Sequence, residues 1–222
     1  PVPRVGEVYH QVGVKFGSKK SVEEVTAAFK LAFAATESQP DASLNPHSDN
    51  PHSDPWWTSE AEEFRRWQTI VGMVLDDVAD PQLCFRELHD HFARAASWRI
   101  FPEVSPTLAA LRKRGFRVVL ASNFDDRLHS VCRGSQDLQF LDACFISSEL
   151  GVRKPSLGFY RRMLEQLNLP PHQLLMIGDD LQNDIHPPRQ LGVPSLWLNR
   201  TLTAGHLPSI KSLSDLLPLL PS

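Results

Sequence analysis

Cysteine is scarce in this chain: three in 222 residues, at positions 84, 132 and 144, with no C-x-x-C spacing. An odd, scattered set excludes a disulfide framework and a thiolate metal knot. It fits a reducing, cytoplasmic setting in which each thiol packs as a small buried hydrophobe. Long apolar runs are missing too. Stretches such as 'RVVLA' and 'QLLMIG' fall far short of the about 20 residues a membrane helix needs. No basic segment followed by an apolar one opens the sequence, so neither a signal peptide nor a membrane partner is expected. Neither sign of charge dominates. The net charge is −3, which speaks against a nucleic-acid footprint. With 41% hydrophobic and 22% charged residues, the chain is also too ordinary to be disordered or collagen-like.

The length suits one domain, or one domain carrying an inserted module. Charge divides the chain. Residues 1–98 hold nine Lys+Arg against fifteen Asp+Glu, and residues 99–222 hold fourteen against eleven. That split points to two units, of which the second, mildly basic one suits an anionic ligand.

Residues 1–98 read as helices. Ser21 and Glu24 form a capping box ahead of an apolar stripe at Val25, Phe29 and Ala32. Ser59 and Glu62 form a second, followed by Phe64, Trp67, Val71, Val74 and Leu75 at helical spacing. Asp80-Pro81 supplies an N-cap acceptor and a first-turn proline, with Leu88 and Phe92 beyond. Four of the five tryptophans, Trp56, Trp57, Trp67 and Trp98, fall here. They read as packing of a small helical core, with Trp56 or Trp57 in a substrate pocket as the alternative. Between the helices, residues 38–55 carry 'NPHSD' twice in tandem. That composition reads as a solvated, mobile loop, although His47, His52, Asp49 and Asp54 could bind a metal.

Residues 99–222 change period. Short β-rich runs 'FRVVLAS' (116–122), 'ACFIS' (143–147), 'LLMIG' (174–178) and 'SLWLN' (195–199) alternate with helical stretches near 103–114, 156–167 and 184–191. Gly115 ends the first of these. 'SIKSLSDLLPLL' reads as a short terminal helix. Strand–helix alternation with continuous apolar strands predicts an α/β fold, a doubly wound parallel sheet with helices on both faces.

Ligands of such sheets bind beyond the carboxyl ends of the strands. There the sequence places Ser122, Asn123 and Asp125 after one strand, and Asp179, Asp180 and Asp184 after another. Arg153-Lys154-Pro155 opens a helix between them. Three close carboxylates would repel unless a cation sat among them, and hard oxygen donors suit Mg²⁺. Lys154 can grip a phosphate, and Ser122 can donate a hydroxyl hydrogen bond to it.

Order and spacing together resemble the haloacid dehalogenase superfamily of hydrolases. 'VVLASN' resembles its second motif, with Ser122. 'GVRKP' resembles its third, with Lys154. 'MIGDDLQND' resembles its fourth, with Asp179 and Asp184. Residues 1–98 resemble the helical cap of the phosphoglycolate phosphatase-like branch, set before a core at 99–222. Gly-Asp-Asp favours phosphatases over true dehalogenases. The resemblance implies a nucleophilic Asp that forms an aspartyl-phosphate, Mg²⁺ held by Asp179 and Asp184, and a phosphoryl group held by Ser122, Asn123 and Lys154. Ser122, Lys154 and Asp179 would then be the catalytic residues, the cap would close over the site, and the substrate would be a small phosphorylated metabolite. A monomer or weak dimer is expected.

One part of the pattern is missing. The family's first motif is an apolar strand ending in D-x-D-x-T or D-x-x-G-T, and no segment of these 222 residues has it. In the family that strand lies between the strands of motifs two and four, so both should expose a free ladder edge. Pro187-Pro188 also replaces the Gly-Ala common in relatives. Two readings follow: a phosphatase whose nucleophile lies outside this sequence, or an inactive phospholigand-binding or interaction protein.

Overall fold

The computed structural model describes residues 4–37, 54–201 and 208–221, which fall into two units. The first contains residues 4–37, Glu60–Arg99 and Asp125–Ser135. The second contains 54–59, Ile100–Phe124 and the described residues from Gln136 onward. The expected boundary at 98/99 therefore lies one residue from the observed one. Two excursions cross it: residues 54–59 go to the second unit and 125–135 to the first. Charge and helical periodicity could not reveal them, because both are set by long-range contacts.

The first unit is helical: α1 (Val5–Lys15), α2 (Val22–Thr36), α3 (Glu60–Val74), α4 (Pro81–Phe92) and α6 (Arg127–Gly134). Ser21 begins α2 as the capping box requires. Its hydroxyl accepts from Glu24 N at 3.2 Å, and its own N–H donates to the Glu24 carboxylate at 2.8 Å. Asp80 caps α4 by accepting from Leu83 N at 2.9 Å. The apolar stripes meet in one cluster of Val8, Tyr9, Val25, Ile70, Val74, Leu75, Phe85 and Leu88. Fully burying a Val, Leu or Phe is worth up to about 1.5–3 kcal/mol each. Trp67 packs on this core, and Trp98 anchors its indole N–H on Phe92 O at 3.0 Å. Trp56 and Trp57 do not join them. Trp56 packs in the second unit, and Trp57 bridges antiparallel to Val152. Of the cysteines only Cys84 is buried, where desolvation pushes its thiol up to about 11; Cys132 and Cys144 are half-buried.

The second unit is α/β. It comprises α5 (Val104–Lys113), β1 (Val119–Ser122), β2 (Ala143–Ile146), α7 (Ser147–Leu150), α8 (Leu157–Leu167), β3 (Met176–Gly178), α9 (His186–Gln190), β4 (Ser195–Leu198) and β5 (Ser209–Ile210). Gly115, at φ 85°, makes the left-handed turn after α5. Among the described residues the strand ladders are all parallel, as continuous apolar strands imply. They form two ladders, β1–β2 and β3–β4–β5. Among the described residues, β1 and β3 each keep one edge without a ladder partner. Phe145, Val152, Phe159, Tyr160, Met163 and Met176 pack one core cluster. Leu111, Ile210 and Leu216 pack another.

Two local expectations change. The terminal segment forms β5 and a 3₁₀ helix, Leu213–Leu219, rather than one α-helix. Ser209 and Ile210 pair with β4, a non-local ladder that periodicity cannot report. The helix expected near 184–191 starts earlier, as a π turn over Leu181–Ile185 that continues into α9. No helix among the described residues is long and apolar enough to cross a membrane.

Candidate active site

β1 ends at Ser122, β3 ends at Gly178, and the loop before α8 carries Lys154. Lys154 ties these elements together. Its ammonium pairs with Asp184 Oδ1 at 2.7 Å and donates to Ala121 O, on β1, at 3.2 Å. The two side chains are only 9% and 8% exposed, so water screens the pair little. Asp184 fits because Gly178 has no side chain: a Cβ there would lie 2.3 Å from the Asp184 side chain.

Asn123 holds the same lysine by its main chain. Its amide nitrogen donates to Lys154 O at 2.9 Å, and its amide oxygen accepts from Lys154 N at 2.8 Å. Ser147, at the end of β2, fastens the next residue, donating to Phe124 O and accepting from Phe124 N. The Ser122 hydroxyl, half-buried at the end of β1, makes no hydrogen bond among the described residues. An ammonium has three N–H donors. Two are engaged; the Phe159 ring centroid lies 5.9 Å from the nitrogen.

The acids do not crowd together as expected. Asp180 caps the π turn, accepting from Gln182 N at 2.8 Å and Asn183 N at 3.0 Å. Asp184 is neutralised by Lys154. Asp179 is exposed, and its carboxylate carries no partner among the described residues; its carbonyl accepts from Trp197 Nε1 at 3.0 Å. Nor does Asp125 join the site. It lies in the first unit, buried in a bidentate pair with Arg127 at 2.6 and 2.7 Å. Tyr160 supports the π turn by donating to Asn183 O. Burial, with the nearby Asp184 and Asp180 carboxylates adding to it, holds its phenol far above the ordinary value.

No set of three metal-ligating side chains converges among the described residues. Asp179 offers a free carboxylate. Asp184 keeps Oδ2, whose contact to Asp180 N is long at 3.4 Å. This donor set fits Mg²⁺, which is held by one or two carboxylates and completes its shell with water and phosphate oxygens.

Sequence reasoning missed a strap against the lysine loop. Arg153 N donates to Trp56 O at 2.9 Å, Thr58 N to Gly151 O at 3.3 Å, and Trp57 bridges Val152. Asp54 anchors it: 6% exposed, it accepts from Trp56 N at 2.8 Å and from the Ser156 hydroxyl. The last residue of the 'NPHSD' repeat is thus buried rather than solvated. His47, Asp49 and His52, the other members of the metal alternative, lie outside the described residues. No sequence signal connects positions 102 residues apart.

The model of a hydrolase family, haloacid dehalogenase-like hydrolase, matches residues 4–192. The chain belongs to that family. The haloacid dehalogenase-like hydrolase domain-containing protein 3 of Xenopus laevis is 28% identical over 65% of this chain and 57% of its own length. The phosphoserine phosphatase of Thermus thermophilus is 30% identical over 53% of this chain and 48% of its own. The chain thus spans about half the length of these two relatives. The fold is that of the putative HAD-hydrolase YfnB from Bacillus subtilis, solved bound to magnesium. The TM-score is 0.70 at 15% identity, covering 96% of this chain and 90% of that one.

Proposed function

We propose that this haloacid dehalogenase-like chain grips the phosphoryl group in a Mg²⁺-dependent phosphatase of small phosphorylated metabolites. An aspartyl-phosphate forms on an Asp outside residues 1–222. The reading rests on one observation: a buried ammonium is held between β1 and the π turn that follows β3, with one N–H unengaged.

Lys154 directs that N–H at a phosphoryl oxygen and offsets the charge that builds there during transfer. Asp184 fixes the ammonium's position, so little reorganisation is needed when substrate arrives. Asn123 keeps the lysine main chain in place. The Ser122 hydroxyl donates to a second phosphoryl oxygen. Asp179 and Asp184 would hold Mg²⁺, which would supply further positive charge at the site. The free edges of β1 and β3 suit a parallel strand that brings in the nucleophile. Kinship with a phosphoserine phosphatase supports phosphate ester chemistry.

The test extends the chain upstream by its natural coding sequence and assays p-nitrophenyl phosphate with Mg²⁺. Turnover should fall about 100-fold in Lys154→Met and should need Asp179. No Asp179-dependent turnover sinks the enzymatic reading. Because no segment of the sequence carries the family's nucleophile pattern, phosphate binding without turnover is the second reading. Thermal stabilisation by inorganic phosphate with Mg²⁺, in the absence of hydrolysis, would select it.

A further inference from the structure

We propose that residues 54–58 are a positioning strap for Lys154, with Asp54 as its anchor. The proposal rests on the reading of Lys154 as the phosphoryl grip and adds what holds that grip in place.

Lys154 sits in a loop between α7 and α8, and loops are mobile unless tied down. Asn123 ties one side, through both polar atoms of its amide. The other side is tied by the strap. Arg153, immediately before the lysine, donates its main-chain N–H to Trp56 O at 2.9 Å. Two residues after it, Ser156 gives its hydroxyl proton to Asp54. The direction of that bond follows from the serine's other contact. Ser156 Oγ already accepts from Gly158 N at 2.9 Å as the cap of α8, so its proton is left for the carboxylate. Asp54 in turn accepts from Trp56 N at 2.8 Å. One buried carboxylate therefore organises the strap and the first turn of α8 together. Lys154 lies between the two attachment points, at Arg153 and Ser156.

The arrangement is more than packing. Main-chain bonds at Gly151 and Arg153 define the height of the loop. The Asp54–Ser156 bond defines where α8 begins. Together they fix the base from which the lysine side chain reaches Ala121 and Asp184. Release of either attachment lets the ammonium swing away from Asp184 without removing any group that touches phosphate. Asp54 and Ser156 act through Lys154 and are positioning residues.

The test reads the lysine directly. Its side-chain ammonium, buried and paired with Asp184, should give a slowly exchanging ¹H–¹⁵N signal, assigned by its loss in Lys154→Met. The signal should persist in Ser156→Thr, which keeps the hydroxyl. It should vanish in Ser156→Ala and Asp54→Asn. A purely structural role would lower the melting temperature of these variants and leave the signal in place, which would overturn the proposal. So would a wild-type chain without the signal. Ser156→Ala decides if Asp54→Asn does not fold, and a Ser156→Ala chain that unfolds counts against positioning. Inorganic phosphate is titrated in parallel. Its affinity should fall between about tenfold and 100-fold in Ser156→Ala and recover in Ser156→Thr. A wild type that does not bind phosphate sinks the phosphatase reading, whereas the ammonium signal still decides the strap.

Discussion

Replacing Lys154 by Met tests the centre of the site as a matter of stability. The side chains have similar length, so packing changes little, but Asp184 loses its ion-pair partner. What remains on that carboxylate is the 3.4 Å contact from Asp180 N. With both groups more than nine-tenths buried, neither bulk water nor salt replaces the ammonium effectively. Breaking a buried pair by removing one partner costs about 3–5 kcal/mol, against a total stability of roughly 5–15 kcal/mol. For a chain of this size that corresponds to a melting temperature lower by about 6–20 °C. The double variant Lys154→Met/Asp184→Asn removes the stranded charge, so at least half of the loss should return. Urea unfolding of the four members of the cycle gives the coupling, expected to be at least about 1.5 kcal/mol in size and insensitive to salt. A single variant costing less than about 1 kcal/mol, the range of exposed pairs, would refute the argument. So would losses that simply add.

Further outcomes follow from the same geometry. Gly178→Ala should cost about 1–3 kcal/mol in chemical unfolding, because its Cβ would meet the Asp184 side chain; an unchanged midpoint would mean that Asp184 does not rest on Gly178. Asp80→Ala removes the α4 cap and should cost about 1 kcal/mol by thermal unfolding. Hydrogen bonds from the Ser21 backbone and then its side chain hold Glu24 below the usual carboxylate range. This folded-state lowering stabilises fully above the unfolded pKa and is lost as pH falls through the folded one. Glu24→Gln should therefore melt with a shallower dependence on pH across the acid range, and identical slopes for both proteins would contradict the capping box. His89 adds to the acid loss. Burial, then the Arg127 guanidinium, lowers its pKa, so folding favours the neutral ring and stability declines once the unfolded chain protonates, below about pH 6.5. His89→Gln should reduce the decline measured between neutral and mildly acid pH.

Much of the molecule was legible along the chain because the physics involved is local. A capping box needs only Ser21 and Glu24 three positions apart. An N-cap with first-turn proline needs only Asp80 and Pro81. Apolar periodicity separates helices from strands without reference to distant residues. The parallel character of the second unit followed from the uninterrupted apolar strands, and the acids and serine after strands and the lysine before α8 were named from position alone. Where these expectations failed, a long-range partner had taken over. Asp125 looked like part of the site by its place after β1, but Arg127 holds it in the helical unit. Asp180 looked like one of three ligands, but the π turn it caps uses its oxygens. Trp56, Trp57 and Asp54 looked like helical core and solvated loop, but the lysine loop binds them.

The order of residues thus determined which groups are available: a hydroxyl and hard oxygen acids just after parallel strands, and an ammonium in the loop before α8. Folding alone decided how those groups are shared out. Lys154 neutralises Asp184 rather than standing free, Asn123 clasps a main chain, and a strap from between two helices sets the height of the lysine. Such choices depend on which donors and acceptors meet when water is excluded. That meeting is a property of three-dimensional neighbours, which no spacing in the sequence records.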